Sequence, residues 1–300
     1  MLIRPPRSVL ATPATKEWMF GKAAASGADV VFLDLEDAVV PAAKEDARDE
    51  AVEALTGRDW GNTERAVRIN GLDTPWAHDD IIETVTGARE AMDTLIVPKV
   101  TAARDVWWVD VLLTQVEKKL GLAERIRVQA VIETVEGLIN VEAIAKASPR
   151  LTAISFGAGD YSLSQGARVG ANLESTIPYP GDIWQYARSK ILVAARAAGV
   201  AAIDSAYPDY RDHAGFEQAA QRAAVLGFSG KLVIHPSQVI IANRVFSPSK
   251  KEIDLARRHL ASVEQGEAAG QGAVSLDGVL VDAFHLRWAR QILARVSGAS

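Results

Sequence analysis

The stretch Val30-Val31-Phe32-Leu33-Asp34-Leu35-Glu36-Asp37 is an apolar run that becomes acidic at its carboxyl end. Its β-branched start predicts a buried strand, and short runs of the same kind recur along the chain to about residue 240. Eight strands are predicted in this way: Ser8–Pro13, Val30–Glu36, Ala66–Asn70, Thr94–Val100, Arg127–Glu133, Thr152–Phe156, Val200–Ser205 and Lys231–His235.

Longer, Ala-rich amphipathic stretches lie between these strands and predict helices. They include Lys16–Ala25, Ala42–Leu55, Val106–Lys119, Gly137–Lys146, Ile183–Ala198 and Gly215–Leu226. Strands that alternate with helices form right-handed βαβ units around a parallel sheet. About eight such units favour an α/β fold of the closed (β/α)8 TIM barrel type over an open, doubly wound sheet.

The last sixty residues break this alternation. A helix is predicted over Glu252–Glu264, where Ser249 and Glu252 have the spacing of a capping box. A flexible linker over residues 265–272, a hairpin turning at Asp277-Gly278 and a final helix from Ala283 to Val296 follow. The predicted domains are therefore a catalytic barrel over residues 1–246 and a lid or oligomerisation extension over residues 247–300.

Composition excludes several classes of protein. The chain has 300 residues, a formal charge of −5 and no cysteine, so disulfides, a thiolate nucleophile and a cysteine zinc site are excluded. The mild acidity argues against wholesale binding of nucleic acid. The longest stretch without a charged residue, Leu232 to Asn243, is too short to cross a bilayer, and the N-terminus lacks the apolar region of a signal peptide. We therefore expect a soluble, cytoplasmic protein that does not bind membranes.

Polar residues at the strand ends are the candidates for chemistry, because the active sites of barrel enzymes lie where strands end. Strand alternation turns Asp34 and Glu36 inward, whereas Asp37 is either part of the site or a cap of the next helix. Arg68 also points inward. Its planar fork suits the capture of a carboxylate, and an internal salt bridge to Asp34 or Glu36 is the alternative.

Glu133 and Asp160 each close a predicted strand, and adjacent strands would bring the two carboxylates together. A divalent cation would relieve their repulsion, and ligands that are all oxygen favour Mg²⁺ over zinc or copper. The alternative for Asp160 is a helix N-cap after the glycines of Gly157-Ala158-Gly159.

Other conspicuous residues have ordinary structural explanations. His235 ends the last strand at the catalytic face, and a structural role is expected for it. Trp107 and Trp108 are predicted to lie on the packing face of a helix. Lys16 and Lys22 follow the first strand and are surface charges by default.

Taken together, the motifs resemble a known family along nearly the whole chain. The motifs that carry the resemblance are Leu33-Asp34-Leu35-Glu36-Asp37-Ala38-Val39, Val67-Arg68-Ile69-Asn70-Gly71, Val97-Pro98-Lys99-Val100, Ile132-Glu133-Thr134, Gly157-Ala158-Gly159-Asp160, Gly230-Lys231, Ile234-His235-Pro236-Ser237-Gln238 and Gly278-Val279-Leu280-Val281-Asp282. In this order they are similar to the citrate lyase β-subunits and the malyl-CoA or citramalyl-CoA lyases.

The resemblance implies an Mg²⁺-dependent carbon–carbon lyase, with Mn²⁺ as a possible substitute, that acts on coenzyme A thioesters. Glu133 and Asp160 would hold the metal, and Arg68 would hold the carboxylate of the 2-oxo acid. Asp282 would be the general acid and base, and Glu36 and Asp37 would orient water and Arg68. Lys16 and Lys22 match basic positions near the coenzyme A phosphates. The first-strand loop departs from the family's usual Pro-Gly step followed by Arg, which leaves the details of this binding open.

The same resemblance leaves the substrate open. The first candidate is a lyase that converts malyl-CoA or β-methylmalyl-CoA to glyoxylate and acetyl-CoA or propionyl-CoA. A citramalyl-CoA lyase releasing pyruvate, a citryl-thioester lyase subunit of a citrate lyase complex and a malyl-CoA thioesterase are the alternatives. Family members assemble as trimers or hexamers, so the resemblance implies a homo-oligomer in which the C-terminal lid covers an active site.

Overall fold

Eight parallel strands form a closed barrel in the computed structural model, which describes residues 5–268, 270 and 272–297. The strands are β1 (Ser8–Pro13), β2 (Val30–Asp34), β3 (Glu64–Arg68), β4 (Thr94–Val97), β5 (Arg127–Ile132), β6 (Leu151–Phe156), β7 (Ala201–Asp204) and β8 (Gly230–Val233). Each strand pairs with the next in sequence, and β1 pairs with β8 to close the ring. The predicted (β/α)8 barrel is confirmed.

Helices follow the strands in the order α1 (Glu17–Ala24), α2 (Lys44–Gly57), α3 (Ala77–Ala88), α4 (Ala103–Leu120), α5 (Val135–Ile139), α6 (Val141–Ile144), α7 (Ala158–Gln165), α8 (Gln185–Ala198), α9 (His213–Leu226) and α10 (Pro236–Val245). The predicted helix Gly137–Lys146 is wrong as a continuous element, because it divides into α5 and α6 at Asn140. The Asn140 side chain donates a hydrogen bond to the carbonyl of Thr101 at 2.9 Å, which fixes the break.

The interior of the barrel is filled by a cluster of apolar side chains. Its buried members are Val9, Val30, Phe32, Ala66, Ile96, Val131, Ala153 and Ile203. Side chains two positions further along a strand face the same way. Asp34, Arg68 and Glu133 therefore follow Phe32, Ala66 and Val131 on the interior side, at the end where the strands stop.

On α4 the prediction for the two tryptophans is wrong. Trp107 is 59% exposed and Trp108 is 38% exposed. The buried stripe of the helix consists of Val106, Val109 and Leu113, at the three- and four-residue spacing of one helical face. Trp107 and Trp108 fall beside that stripe.

Backbone contacts divide the chain into two compact units, which among the described residues are 5–243 and 244–297. The second unit contains α11 (Lys250–Ala268), β9 (Val274–Leu276), β10 (Val279–Val281) and α12 (Ala283–Ser297). Asp277 and Gly278 both have positive φ, as the tight hairpin turn between β9 and β10 requires. Ser249 and Glu252 make both hydrogen bonds of the predicted capping box. The role of this unit as a lid or oligomerisation element stays a prediction.

The predicted linker over residues 265–272 is wrong in its first half, because α11 continues to Ala268. A single glycine is tolerated within a helix, and Gly266 lies on the buried side of this one. Residues 269 and 271 of the predicted linker lie outside the described residues. No described helix combines the length and the apolar character that crossing a membrane requires.

Candidate active site

Arg68 and Asp34 form the base of a charged cluster at the carboxyl ends of β2 and β3. The Arg68 Nε and Nη2 atoms donate to the two carboxylate oxygens of Asp34, each at 2.7 Å. Such a bidentate pair fixes the plane of the guanidinium. Burial opposes the charge of Arg68, but the surrounding carboxylates outweigh it and raise the pKa, so the guanidinium stays cationic. The internal salt bridge considered for Arg68 is confirmed, and its role toward a substrate stays a prediction.

Glu36 lies directly above this pair and is 5% exposed. One carboxylate oxygen, Oε1, accepts a hydrogen bond from Lys99 Nζ at 2.8 Å, and the other, Oε2, lies 3.0 Å from Arg68 Nη1. Burial raises the pKa of Glu36, although Arg68 and Lys99 oppose the shift. Its Oε2 atom has no hydrogen-bond partner among the described residues.

Asp37 is the exposed member of the cluster. Its carboxylate lies 3.6 Å from Lys99 Nζ and 3.8 Å from Arg68 Nη2. No side chain caps the short 3₁₀ turn Pro41–Ala43 or α2, so the alternative of Asp37 as a helix cap is wrong. Two nearby cations hold it at the strand ends instead.

Glu133 follows β5 and is 4% exposed. Its Oε1 atom accepts a hydrogen bond from the backbone N–H of Lys99 at 2.8 Å. Burial, and then the charge of Glu36, raises the pKa of Glu133 to about 8. A Cβ atom at Gly157 would lie 2.3 Å from Glu133 Oε2, so the carboxylate occupies space that only glycine leaves open.

Asp160 lies in the first turn of α7, half-buried. Gly157 is the N-cap of this helix, and no side chain makes a cap hydrogen bond, so the alternative of Asp160 as an N-cap is wrong. The carboxylate is near enough to Glu133 to raise the pKa of that group and near enough to Lys99 to favour the ammonium. The structure therefore brings Glu133 and Asp160 into one electrostatic environment.

The charges of the cluster fit a divalent cation. The site has five carboxylates and three cations, and its formal charge is −2 when all eight groups are ionised. The carboxylates are Asp34, Glu36, Asp37, Glu133 and Asp160, and the cations are Lys44, Arg68 and Lys99. Within the described part of the chain, no group of three or more acidic or histidine side chains forms a complete metal cage. Mg²⁺ is commonly held by one or two carboxylates, with water and substrate oxygens as its other ligands. Glu133 and Asp160 suit that mode of binding.

The remaining candidates lie outside this cluster. Lys16 precedes α1 and is exposed, and the exposed Lys22 places its Nζ 5.2 Å from the centre of the Trp18 ring. Both stay predictions as phosphate contacts. The His235 ring stacks on Tyr210 at 4.8 Å, and its Nδ1 accepts the N–H of Ser237 at 3.1 Å, in the first turn of α10. These contacts agree with the structural role expected for His235.

Asp282 begins α12 in the C-terminal unit. Its Oδ1 accepts the N–H of Phe284 at 2.9 Å and lies 3.0 Å from His285 Nδ1. These contacts lower the pKa of Asp282, with His285 making the larger contribution. Its carboxylate is 48% exposed, so an ionised and accessible base is present at this helix start.

Comparison with known proteins assigns the chain to a family. Residues 7–236 match the family model described as HpcH/HpaI aldolase/citrate lyase. The chain belongs to this family. It is 40% identical over 299 residues to an L-malyl-CoA/β-methylmalyl-CoA lyase of Cereibacter sphaeroides, covering 97% of this chain and 94% of the relative. It is also 37% identical over 291 residues to a (3S)-malyl-CoA thioesterase of the same species, with coverage of 97% and 94%.

A solved structure agrees with this assignment. Protein CitE from Mycobacterium tuberculosis, crystallised with magnesium, acetoacetate and coenzyme A, matches with a TM-score of 0.78 and 31% identity. The match covers 99% of this chain and 100% of that one. The resemblance to the citrate lyase and malyl-CoA lyase family is confirmed.

Two residues of this aldolase/citrate lyase family member were missed by the sequence analysis. Lys44 is 5% exposed, and its Nζ donates to the carbonyls of Leu35 and Glu36, each at 2.7 Å. Lys99 contacts both Glu36 and Glu133. Lys44 lies on a helix, so strand alternation cannot identify it. Lys99 belongs to the motif Val97-Pro98-Lys99-Val100, but strand alternation does not predict a function for it.

Proposed function

We propose that the protein is an Mg²⁺-dependent lyase that cleaves malyl-CoA or β-methylmalyl-CoA to glyoxylate and acetyl-CoA or propionyl-CoA. The observation that carries the proposal is the charged cluster of Arg68, Glu133 and Asp160 at the strand ends, in a chain that matches a lyase of that name over 97% of its length. To bind a 2-oxo acid, a site needs positive charge beside its oxygens. An arginine supplies one such charge, and a dication held by two carboxylates supplies another.

Arg68 is suited to hold the carboxylate of the leaving glyoxylate. Its guanidinium has five N–H donors, and three of them face Asp34 and Glu36. We propose that Nη1 and Nη2 also donate to a substrate oxygen, beside the exposed Asp37, whose carboxylate lies 3.8 Å from Nη2. Because Asp34 fixes the plane of the guanidinium, these donors are preorganised for the negative charge that develops on the alcohol oxygen.

Glu133 and Asp160 are the residues that would hold Mg²⁺. When bound, the ion would supply positive charge beside the oxygens of the 2-oxo acid, as a Lewis acid does. Glu36 and Asp37 lie beside Arg68 and Lys99, where they would orient both the guanidinium and a nearby water.

Cleavage breaks the bond between the methylene carbon beside the thioester and the carbon that bears the hydroxyl group. The hydroxyl proton leaves, the electron pair moves into the thioester enolate, and the enolate carbon takes up a proton. In the condensation direction, a base must remove that proton from the methyl group of acetyl-CoA. Asp282 is proposed for this exchange, because its carboxylate is 48% exposed and so is accessible to a proton on carbon.

Lys16 and Lys22 are proposed to meet the phosphates of coenzyme A, since both are exposed cations, the first just before α1 and the second within it. A homo-oligomer, trimeric or hexameric, with the C-terminal unit over an active site, and a cytoplasmic location remain predictions of the sequence.

Hydrolysis of malyl-CoA to malate is the second candidate, and the 37% identity to a (3S)-malyl-CoA thioesterase favours it. The two reactions differ in their products. The lyase releases glyoxylate and leaves the thioester intact, whereas the thioesterase releases malate and free coenzyme A.

The test is a product analysis with malyl-, β-methylmalyl-, citramalyl- and citryl-CoA. Released 2-oxo acid is trapped with phenylhydrazine, and free thiol is measured in parallel. We expect glyoxylate from the first two substrates with no rise in free thiol. Malate and free coenzyme A without glyoxylate would contradict the proposal in favour of the thioesterase, and pyruvate as the main product would assign the citramalyl substrate.

A further inference from the structure

Lys99 has an uncommon backbone conformation for a residue with a side chain. Its φ angle is 51°, in the left-handed region that glycine adopts freely and other residues adopt at a cost. Of the described non-glycine residues, three others have positive φ: Arg89, Leu173 and Asp277. None of these lies at the charged cluster. Strain of this kind is often retained where a site requires it.

The left-handed conformation aims two donors of Lys99 at two different carboxylates. Its backbone N–H reaches Glu133 Oε1, and its Nζ reaches Glu36 Oε1, both at 2.8 Å. Glu36 follows β2 and Glu133 follows β5, so a single residue connects the ends of two strands that are not neighbours in the barrel.

The neighbouring backbone holds this conformation in place. The N–H of Val100 donates to the carbonyl of Val131 at 3.3 Å, two residues before Glu133. A Cβ atom at Gly137 would lie 2.3 Å from the Val100 carbonyl oxygen, so α5 packs directly against the same loop. The direction of the Lys99 N–H is thus set by its surroundings on both sides.

The two oxygens of Glu133 consequently differ. Oε1 is occupied by the Lys99 N–H, whereas no described residue donates a hydrogen bond to Oε2. Oε2 itself fills the space that a Cβ at Gly157 would take. A carboxylate that is fixed at one oxygen and free at the other is preorganised to bind a cation through the free oxygen.

We propose that Lys99 is a positioning residue, whose N–H orients Glu133 toward the divalent cation and whose ammonium holds Glu36 against Arg68. This inference rests on the proposed function in one respect, the assignment of Glu133 as a metal ligand. It adds the device that orients that ligand and a reason for the left-handed backbone.

Two substitutions separate the backbone from the side chain. Lys99→Gly removes the ammonium but adopts positive φ freely, so the N–H stays in place. Lys99→Val also removes the ammonium, but its β-branched side chain disfavours positive φ and turns the N–H away. Lys99→Ala is a milder second case if the valine variant does not fold. Lys99→Arg restores a cation.

The measurement is the affinity for Mn²⁺ alone, followed by the electron paramagnetic resonance of the free ion. Loss of a group that orients a metal ligand typically costs 10–100-fold in affinity. We expect Lys99→Gly to bind within about threefold of the unsubstituted protein, and Lys99→Val or Lys99→Ala to bind at least tenfold more weakly. Melting temperatures and circular dichroism establish that each variant is folded.

Equal Mn²⁺ affinity of the glycine, alanine and valine variants would overturn the role of the N–H. If the unsubstituted protein does not bind Mn²⁺, the proposed metal site itself is wrong, and this inference falls with it. For the ammonium, we expect Lys99→Gly to lower kcat at nearly constant KM for malyl-CoA, with recovery in Lys99→Arg. A rise in KM alone would assign the ammonium to substrate binding and overturn its positioning role.

Discussion

The absence of a side chain at Gly157 determines where the Glu133 carboxylate lies. Gly157 contacts Glu133 closely enough that a Cβ would lie 2.3 Å from the carboxylate oxygen and 2.5 Å from the Glu133 Cβ. The glutamate is almost fully buried and cannot move aside without losing the hydrogen bond from the Lys99 N–H. At the scale of single residues, the position of the Glu133 carboxylate therefore depends on two uncharged groups, the bare Cα of Gly157 and the backbone N–H of Lys99.

We predict that Gly157→Ala lowers Mg²⁺ affinity and lyase activity by at least tenfold, because the added Cβ displaces the Glu133 carboxylate. Gly159→Ala is the matched control, since a Cβ at Gly159 meets nothing within 4 Å in the same helix. Isothermal titration with Mg²⁺ on both variants checks this. Equal affinity in the two would show that the contact with Glu133 is unimportant.

Glu133→Gln is expected to raise the Mg²⁺ concentration required for half-maximal activity by at least tenfold, because a neutral amide replaces one of two anionic ligands. Activity is measured against total Mg²⁺, with a fixed concentration of substrate. An unchanged Mg²⁺ requirement would contradict the assignment of Glu133 as a ligand.

At the scale of elements, a buried ion network ties β7 and β8 to α8. Asp204 is 0% exposed, and it pairs with Arg188 Nε at 2.8 Å and with Lys231 Nζ at 2.5 Å. Although burial opposes ionisation, the two cations outweigh it and lower the pKa of Asp204. The Gly230-Lys231 motif thus has a structural explanation in this chain.

Asp204→Asn is predicted to destabilise the barrel by about 3–5 kcal/mol, because it leaves two buried cations without their shared partner. Since its folded pKa is depressed, Asp204 contributes stability above its ordinary pKa of 3.8 and loses that contribution as the pH falls below it. The difference in the free energy of unfolding between variant and parent should be constant from pH 5 to about pH 8. It should become smaller at lower pH. Urea unfolding measured across this range checks both statements.

Asp182→Asn serves as the control, because Arg188 then keeps Asp204 as its partner. It should cost much less stability than Asp204→Asn. Similar losses in the two variants would mean that the network is not centred on Asp204.

The elements of the barrel could be predicted from periodicity because each strand is a short apolar run with a polar end. The predicted strand Val30–Glu36 stops at Asp34, and Thr94–Val100 stops at Val97, because the polar ends already belong to loops. The inward direction of Asp34, Glu36 and Arg68 followed from alternation. The left-handed backbone at Lys99 and the hydrogen bonds that Lys44 makes from α2 could not be predicted, because both depend on packing between separate elements, which periodicity does not encode.

At the scale of the whole molecule, the chain consists of a barrel unit and a C-terminal unit, and the proposed chemistry uses both. The proposed metal ligands and Arg68 belong to the barrel, whereas Asp282 begins a helix of the C-terminal unit. Binding and proton transfer are therefore separable by substitution.

Asp282→Asn is expected to abolish lyase turnover, with a loss of at least 100-fold, while Mg²⁺ and acyl-CoA binding stay within about threefold. The amide cannot exchange a proton with carbon, but it still accepts the N–H of Phe284 at the helix start. Turnover is measured as glyoxylate release and binding as the quenching of tryptophan fluorescence by acyl-CoA. Full activity of this variant would contradict the role of Asp282.

The central claim is that the strand-end cluster is the site of a metal-dependent cleavage. Its most direct test is the rate of glyoxylate release from malyl-CoA by the metal-free protein, before and after the addition of Mg²⁺, in parallel with Glu133→Gln. We predict no release with EDTA, full recovery of the parent on Mg²⁺ addition, and a much smaller recovery of the variant at the lowest Mg²⁺ concentration that restores the parent. Release that continues in EDTA, or equal recovery in the variant, would contradict the claim.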